Sequence, residues 1–220
     1  MTSLQIVIDL AYVSLATTVI VPFILLFLRI KPAEISFKFL FIYFYLAALS
    51  ELVLLFMQRQ GINNMPVINI FSLLEFGLLS GFLLFLPITK NKNILGTLVL
   101  GIIIFDLLHY FLINPLSSFD SVAMTIQNIS LTIFSASVLI KVARDYTHPI
   151  FKNPLFWFSI AIFFYFSVNV AVFCTGNFLL DDHTHLRKYT WIVNSLMTIL
   201  SNFFYAIGIL CLRKKKILSL

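Results

Sequence analysis

Glu51, Glu75, Asp106 and His109 are the side chains of this sequence best suited to chemistry, because each stands inside a long apolar run. A charged group at bilayer depth costs about 2.5–3.5 kcal/mol even on the mildest insertion scale, so its default reading is functional. Glu75 or Glu51 could serve as acid or base with His109 as its partner. The same groups could instead hold a small polar ligand. Asp106 and His109 stand at i and i+3 on one helix face, where a buried ion pair is the plainer alternative. His109 is the one intramembrane group able to carry positive charge, so at least one of Glu51 and Glu75 is expected to be neutral at pH 7. Six amides complete the candidate ligand-binding set: Asn69, Gln127, Asn128, Asn169, Asn194 and Asn202. Amides of this kind also serve as plain interhelical hydrogen bonds. Asp181, Asp182, His183 and His185 have metal-ligand side chains, but their charged loop reads as solvated. No metal and no cofactor are expected.

Elements that position such groups must cross a membrane. Of 220 residues, 60% are hydrophobic and 11% charged, and the mean hydropathy is +1.02. Soluble domains carry about 25% charged residues, so the class is integral membrane. Seven apolar runs, 4–28, 37–57, 67–86, 94–113, 121–143, 155–175 and 190–212, are each long enough to span as a helix. The fold class is all-α, a polytopic seven-transmembrane-helix bundle, with residues 1–220 as one domain and no soluble domain in the connections. The first run lacks a basic leader and a small-residue cleavage site, so it reads as a retained helix. Cys174 and Cys211 fall near opposite faces, too far apart for a disulfide.

Orientation follows from basic residues. Arg29, Lys31, Lys38, Lys90, Lys92, Lys141, Arg144, Lys152 and 213–216 make twelve on one side, against Arg59, Arg187 and Lys188 on the other. The positive-inside rule then puts the N-terminus outside and the C-terminus in the cytoplasm. The net charge of +6 is accounted for by this topology, and nucleic-acid binding is excluded by its scatter over separate membrane edges.

Depth along each helix, at about 1.5 Å per residue, puts most of the candidate set roughly 4 to 11 Å outward of the midplane. Glu75 and Asn202 lie near the middle, and the inner half keeps only Ser, Thr and Tyr among its interior polar residues. In the last run Asn194, Thr198, Ser201, Tyr205 and Gly208 form a polar stripe, and Ser121, Thr125, Asn128, Thr132 and Ser135 repeat its spacing in the fifth. Such stripes must face protein or water, since lipid cannot satisfy them.

The segments LSELVLLF (49–56), NIFSLLEFGLL (69–79), NPLFWFSIAIFFYFSVN (153–169) and WIVNSLMTILSNFFYAIG (191–208) resemble small seven-helix integral membrane proteins of Bacteroidota. The resemblance covers most of the chain. It implies a seven-helix bundle in the cell (inner) membrane and a sensory role, because similar helical regions precede signalling domains; it supplies no ligand. Rhodopsin-like proteins need a Lys in the last helix, and Thr190–Leu212 has none. Membrane zinc hydrolases of the ceramidase type need several intramembrane histidines, and only His109 is present.

The functional expectation is a receptor-like membrane sensor or binding module. A small-molecule or lipid ligand would enter a polar pocket in the outer half of the bundle, and a separate partner would carry the signal. The alternative is a membrane-embedded enzyme acting on an apolar substrate with a Glu/His acid–base pair. A small transporter would need a polar route to the inner side, and the apolar inner half argues against one.

Overall fold

The computed structural model describes residues 3–30, 32, 34–144, 149–174 and 186–218. All of its long elements are helices: α1 Ser3–Phe27, α2 Ile35–Gln60, α3 Met65–Leu84, α4 Lys92–Leu112, α5 Ser121–Arg144, α6 Pro154–Cys174 and α7 Leu186–Leu218. A short 3-10 turn, Ile150–Lys152, precedes α6. Seven helices are long and apolar enough to cross a membrane. Helix is what such sequences must form, because a bilayer core offers the backbone no other hydrogen-bond partners.

Local signals set the ends. Gly61, at φ 67°, terminates α2 in the left-handed conformation, and the Ile62 N–H donates back to the Met57 carbonyl over 3.0 Å. Pro66 occupies the first turn of α3, and Pro154 opens α6, where a missing N–H costs nothing. The Asp120 carboxylate accepts from the Ala123 N–H over 3.0 Å and so caps α5. The largest difference from the sequence expectation is α7, which begins before residue 190 and continues beyond 212 through Arg213 and the three lysines to Leu218. Basic residues favour a helix C-terminus, so the run ends the apolar span without ending the helix.

The helices close into a ring: α1 packs on α2, α2 on α3, α3 on α5, α5 on α6, α6 on α7, and α7 back on α1. Helix α4 packs on both α3 and α5, on the outside of that seam, and exposes Phe111 and Leu112. One end of the bundle, here the N-terminal end, carries the α2–α3 and α4–α5 connections. The opposite, C-terminal end carries the α1–α2 and α3–α4 connections.

Aromatic residues fill the ring interior toward the C-terminal end. Phe37 lies 5.9 Å from both Phe82 and Phe158, Phe82 meets Phe158 edge-on at 6.1 Å, and Phe44 meets Tyr205 at 4.9 Å. Leu40, Phe76, Leu79, Leu83, Ile162 and Ile209 pack around them and are fully buried. A Cβ added at Gly208 would stand 2.6 Å from the Phe158 ring, so glycine there permits the close approach of α6 and α7.

Candidate functional site

The structure distributes the ten candidate residues over three places. The first lies between α3, α4 and α5 toward the N-terminal end. Gln127 of α5 donates to Asp106 Oδ2 of α4 over 2.8 Å and accepts from the Ser72 hydroxyl of α3 over 3.0 Å. His109 does not pair with Asp106, although both side chains are buried; its Nδ1 stands 2.7 Å from Asp120 Oδ2. The i, i+3 spacing puts the two residues on one face, but Asp106 is taken up by Gln127 and His109 by Asp120 at the start of α5. Asp120 is not among the candidates that the apolar runs single out, because it stands just outside one. Its signal was an Asp immediately before an apolar run, the N-cap position. Asn69 belongs to this region as a loop anchor: its Nδ2 donates to the Leu116 and Ser118 carbonyls over 2.9 and 2.8 Å.

The second place is the middle of the ring. The Tyr43 hydroxyl of α2 donates to Glu75 Oε1 of α3 over 3.1 Å, and the Tyr43 and Tyr205 rings are 6.1 Å apart. Helix rise relates the polar groups above this pair. Asn169 stands about 16 Å along α6 from Phe158, and Asn194 about 16 Å along α7 from Tyr205. The Phe158 and Tyr205 rings are themselves 6.4 Å apart, so the two amides share one level on adjacent helices. Glu51 is two turns from Tyr43, about 12 Å, and approaches that level from α2. Tyr165 is one turn from Asn169, and Glu51 and Glu75 stand within electrostatic reach of it and of each other.

Asn169 is 0% exposed, yet neither its Nδ2 nor its Oδ1 makes a hydrogen bond of normal geometry, although the Tyr165 hydroxyl stands near it, and Asn194 Oδ1 is also unpaired. Buried amides are almost always bonded, and an unmade bond leaves the full desolvation penalty in place. Glu51, Glu75, Tyr165, Asn194 and Thr198 keep accessible surface although they stand well inside their helices. Asn169 is thus a buried amide with unfilled bonding capacity among partly accessible polar groups.

The third place closes the ring. Asn202 Nδ2 of α7 donates to the Thr17 and Thr18 hydroxyls of α1 over 3.1 and 2.9 Å, which ties the last helix to the first. Asn128 donates to the Met124 carbonyl of its own helix over 2.7 Å. Thr125, Thr132 and Ser135 likewise bond carbonyls one turn back, as Thr198 and Ser201 do in α7. Most of the two stripes is thus satisfied within its own helix.

Among the described residues no three His, Cys, Asp or Glu side chains gather as metal ligands, and Asp181, Asp182, His183 and His185 lie outside those residues. Neither Cys174 nor Cys211 is in a disulfide, and the Cys211 thiol donates to the Phe151 carbonyl over 3.7 Å. Two concavities, of about 310 and 350 Å³, open between α5 and α6 and between α1 and α7; apolar side chains line both. The chemistry available in the ring is therefore hydrogen bonding and charge: two carboxyl groups, the Asn169 amide, the Asn194 amide oxygen and tyrosine rings above an aromatic floor. No protein-family model, curated protein or solved structure matches this chain.

Proposed function

We propose that this protein is a receptor-like binding module of a membrane, and that the group formed by Glu51, Glu75, Tyr165, Asn169 and Asn194 takes a small polar ligand. One observation carries the reading: Asn169 is wholly buried, and neither of its amide atoms makes a hydrogen bond. A structural amide bonds the protein through at least one of its two atoms, as Asn69 and Asn202 do through Nδ2. The aromatic layer from Phe37 to Tyr205 closes the ring beneath the group. That floor favours a module that binds over one that transports.

The reading places the N-terminal end outside and the C-terminal end in the cytoplasm, on the positive-inside distribution of Lys and Arg. Helix α7 then joins the two sides. It runs unbroken from Asn194, in the polar group, to the basic cluster at 213–216, where a separate signalling partner would read its position. The enzymatic alternative needs a Glu/His pair, whereas Glu75 bonds Tyr43 and His109 bonds Asp120.

A thermal-melting screen of small polar compounds on the purified full chain tests the proposal, with Asn169→Leu as control. We expect saturable stabilisation by at least one class of compound, abolished in the variant. Stabilisation that survives Asn169→Leu unchanged would overturn the assignment of the site, and no stabilisation by any class would overturn the module.

A further inference from the structure

The binding reading can be carried to the class of ligand. We propose, resting on that reading, that the ligand is a small primary amine bound as its ammonium ion among Glu51, Glu75, Asn169, Asn194 and the Tyr165 ring, with a neutral oxygen close to its nitrogen. Charge is the first argument. Glu75 bonds Tyr43 within the ring, Glu51 stands within electrostatic reach of Glu75 and Tyr165, and among the described residues every Lys and Arg stands in a connection or near the edge of a membrane span. The remaining interior base, His109, is engaged by Asp120 on the α4–α5 side. An ammonium ion supplies the missing positive charge, and an anionic ligand would meet two acids.

Hydrogen-bond capacity is the second argument. Asn169 Oδ1 and Asn194 Oδ1 are unpaired acceptors at one level of adjacent helices. An ammonium group has three N–H donors, so it can meet both acceptors and a carboxylate at once. Asn169 also leaves its Nδ2 donor unpaired, so the conclusion is unchanged whichever way that amide is turned. The Tyr165 hydroxyl stands near that donor without completing a bond of normal geometry, and a hydroxyl on the ligand would satisfy it without adding negative charge beside Glu51 and Glu75. The third argument is the aromatic surface. Tyr165 stands one turn from Asn169, and the Tyr43 and Tyr205 rings lie beneath Glu75. Ring faces attract cations held within about 6 Å of the ring centre.

Ethanolamine hydrochloride is the probe. The purified full chain, in detergent free of phospholipid, is melted with ethanolamine, with ethylene glycol and with sodium chloride at matched ionic strength. We expect a saturable rise in melting temperature with ethanolamine and none with the other two. Glu75→Gln and Glu51→Gln, which keep shape and remove charge, should each weaken the apparent affinity about tenfold, the effect of losing one modest ionic interaction. Asn169→Leu removes the unpaired amide and should abolish the shift in a protein that still folds. An equal saturable shift with ethylene glycol that is lost in Asn169→Leu would overturn the ammonium class and leave the binding module standing. An equal shift with sodium chloride would assign the site to an alkali cation and overturn the amine. An ethanolamine shift unaffected by both glutamine variants would overturn this placement. Silence of all three probes would overturn the amine, and the broader compound screen would then decide the module separately.

Discussion

At the residue scale, a buried polar group is defined by what bonds it. His109 and Asp120 are both buried and stand 2.7 Å apart, and the second Asp120 oxygen caps α5. Asp120→Ala removes a cap and strands an imidazole, so it should cost about 2 kcal/mol or more, against about 1 kcal/mol for a cap alone. His109→Ala should also destabilise, and the double variant should fall short of the sum by about 1 to 3 kcal/mol, as contacting polar pairs do. Melting of the four proteins in one detergent measures the coupling; additive losses would show that the pair is not formed in solution. None of this was visible from the i, i+3 spacing of Asp106 and His109, which predicts a shared face and not a partner. Asn69, Asn128, Asn169 and Asn202 illustrate the same limit. They look alike in sequence, yet one anchors a loop, one bonds its own helix, one is unpaired and one joins α7 to α1.

At the scale of elements, the contact between α6 and α7 depends on a missing side chain. A Cβ at Gly208 would stand 2.6 Å from Phe158, whereas one at Gly101 meets nothing within 4 Å. Gly208→Ala should therefore destabilise by about 1 to 3 kcal/mol through overpacking, while Gly101→Ala should be neutral or stabilising by up to about 1 kcal/mol through helix propensity. Combining Gly208→Ala with Phe158→Leu should recover part of the loss, because the obstructing ring is gone. Chemical or thermal unfolding of the three variants checks this, and equal effects of the two alanines would refute the close approach. The seven spans themselves, and their approximate ends, were legible as apolar runs between Pro, Gly and charged residues. The run-on of α7 was not, because hydropathy marks where a helix leaves the membrane and helix propensity decides where it stops.

For the whole molecule, orientation and closure are the open quantities that one experiment each can read. Cys174 ends α6 at the N-terminal end of the bundle, and Cys211 lies toward the other end of α7; neither is in a disulfide. With the N-terminal end outside, a membrane-impermeant maleimide added to intact cells should label Cys174 and spare Cys211, and permeabilised cells should not spare the inner face. The reverse pattern would invert the proposed topology. Asn202 ties the first helix to the last, so Asn202→Leu should loosen the ring at the α1–α7 seam, and hydrogen exchange should rise in α1 before α5.

The amino-acid sequence by itself determined the membrane class, the number of spans and the bias of polar residues toward one end of the bundle, since each depends on local composition and on the length of apolar runs. It also marked Glu51, Glu75 and the amides as costly and so worth explaining. Only the tertiary structure decided that the polar residues divide among a latch on α3–α5, a tie between α1 and α7, and a group in the ring left with unmet bonds. The reason is geometric. Depth along a helix is a property of one segment, but a hydrogen bond needs two groups within about 3 Å, and that distance is set by which helices become neighbours.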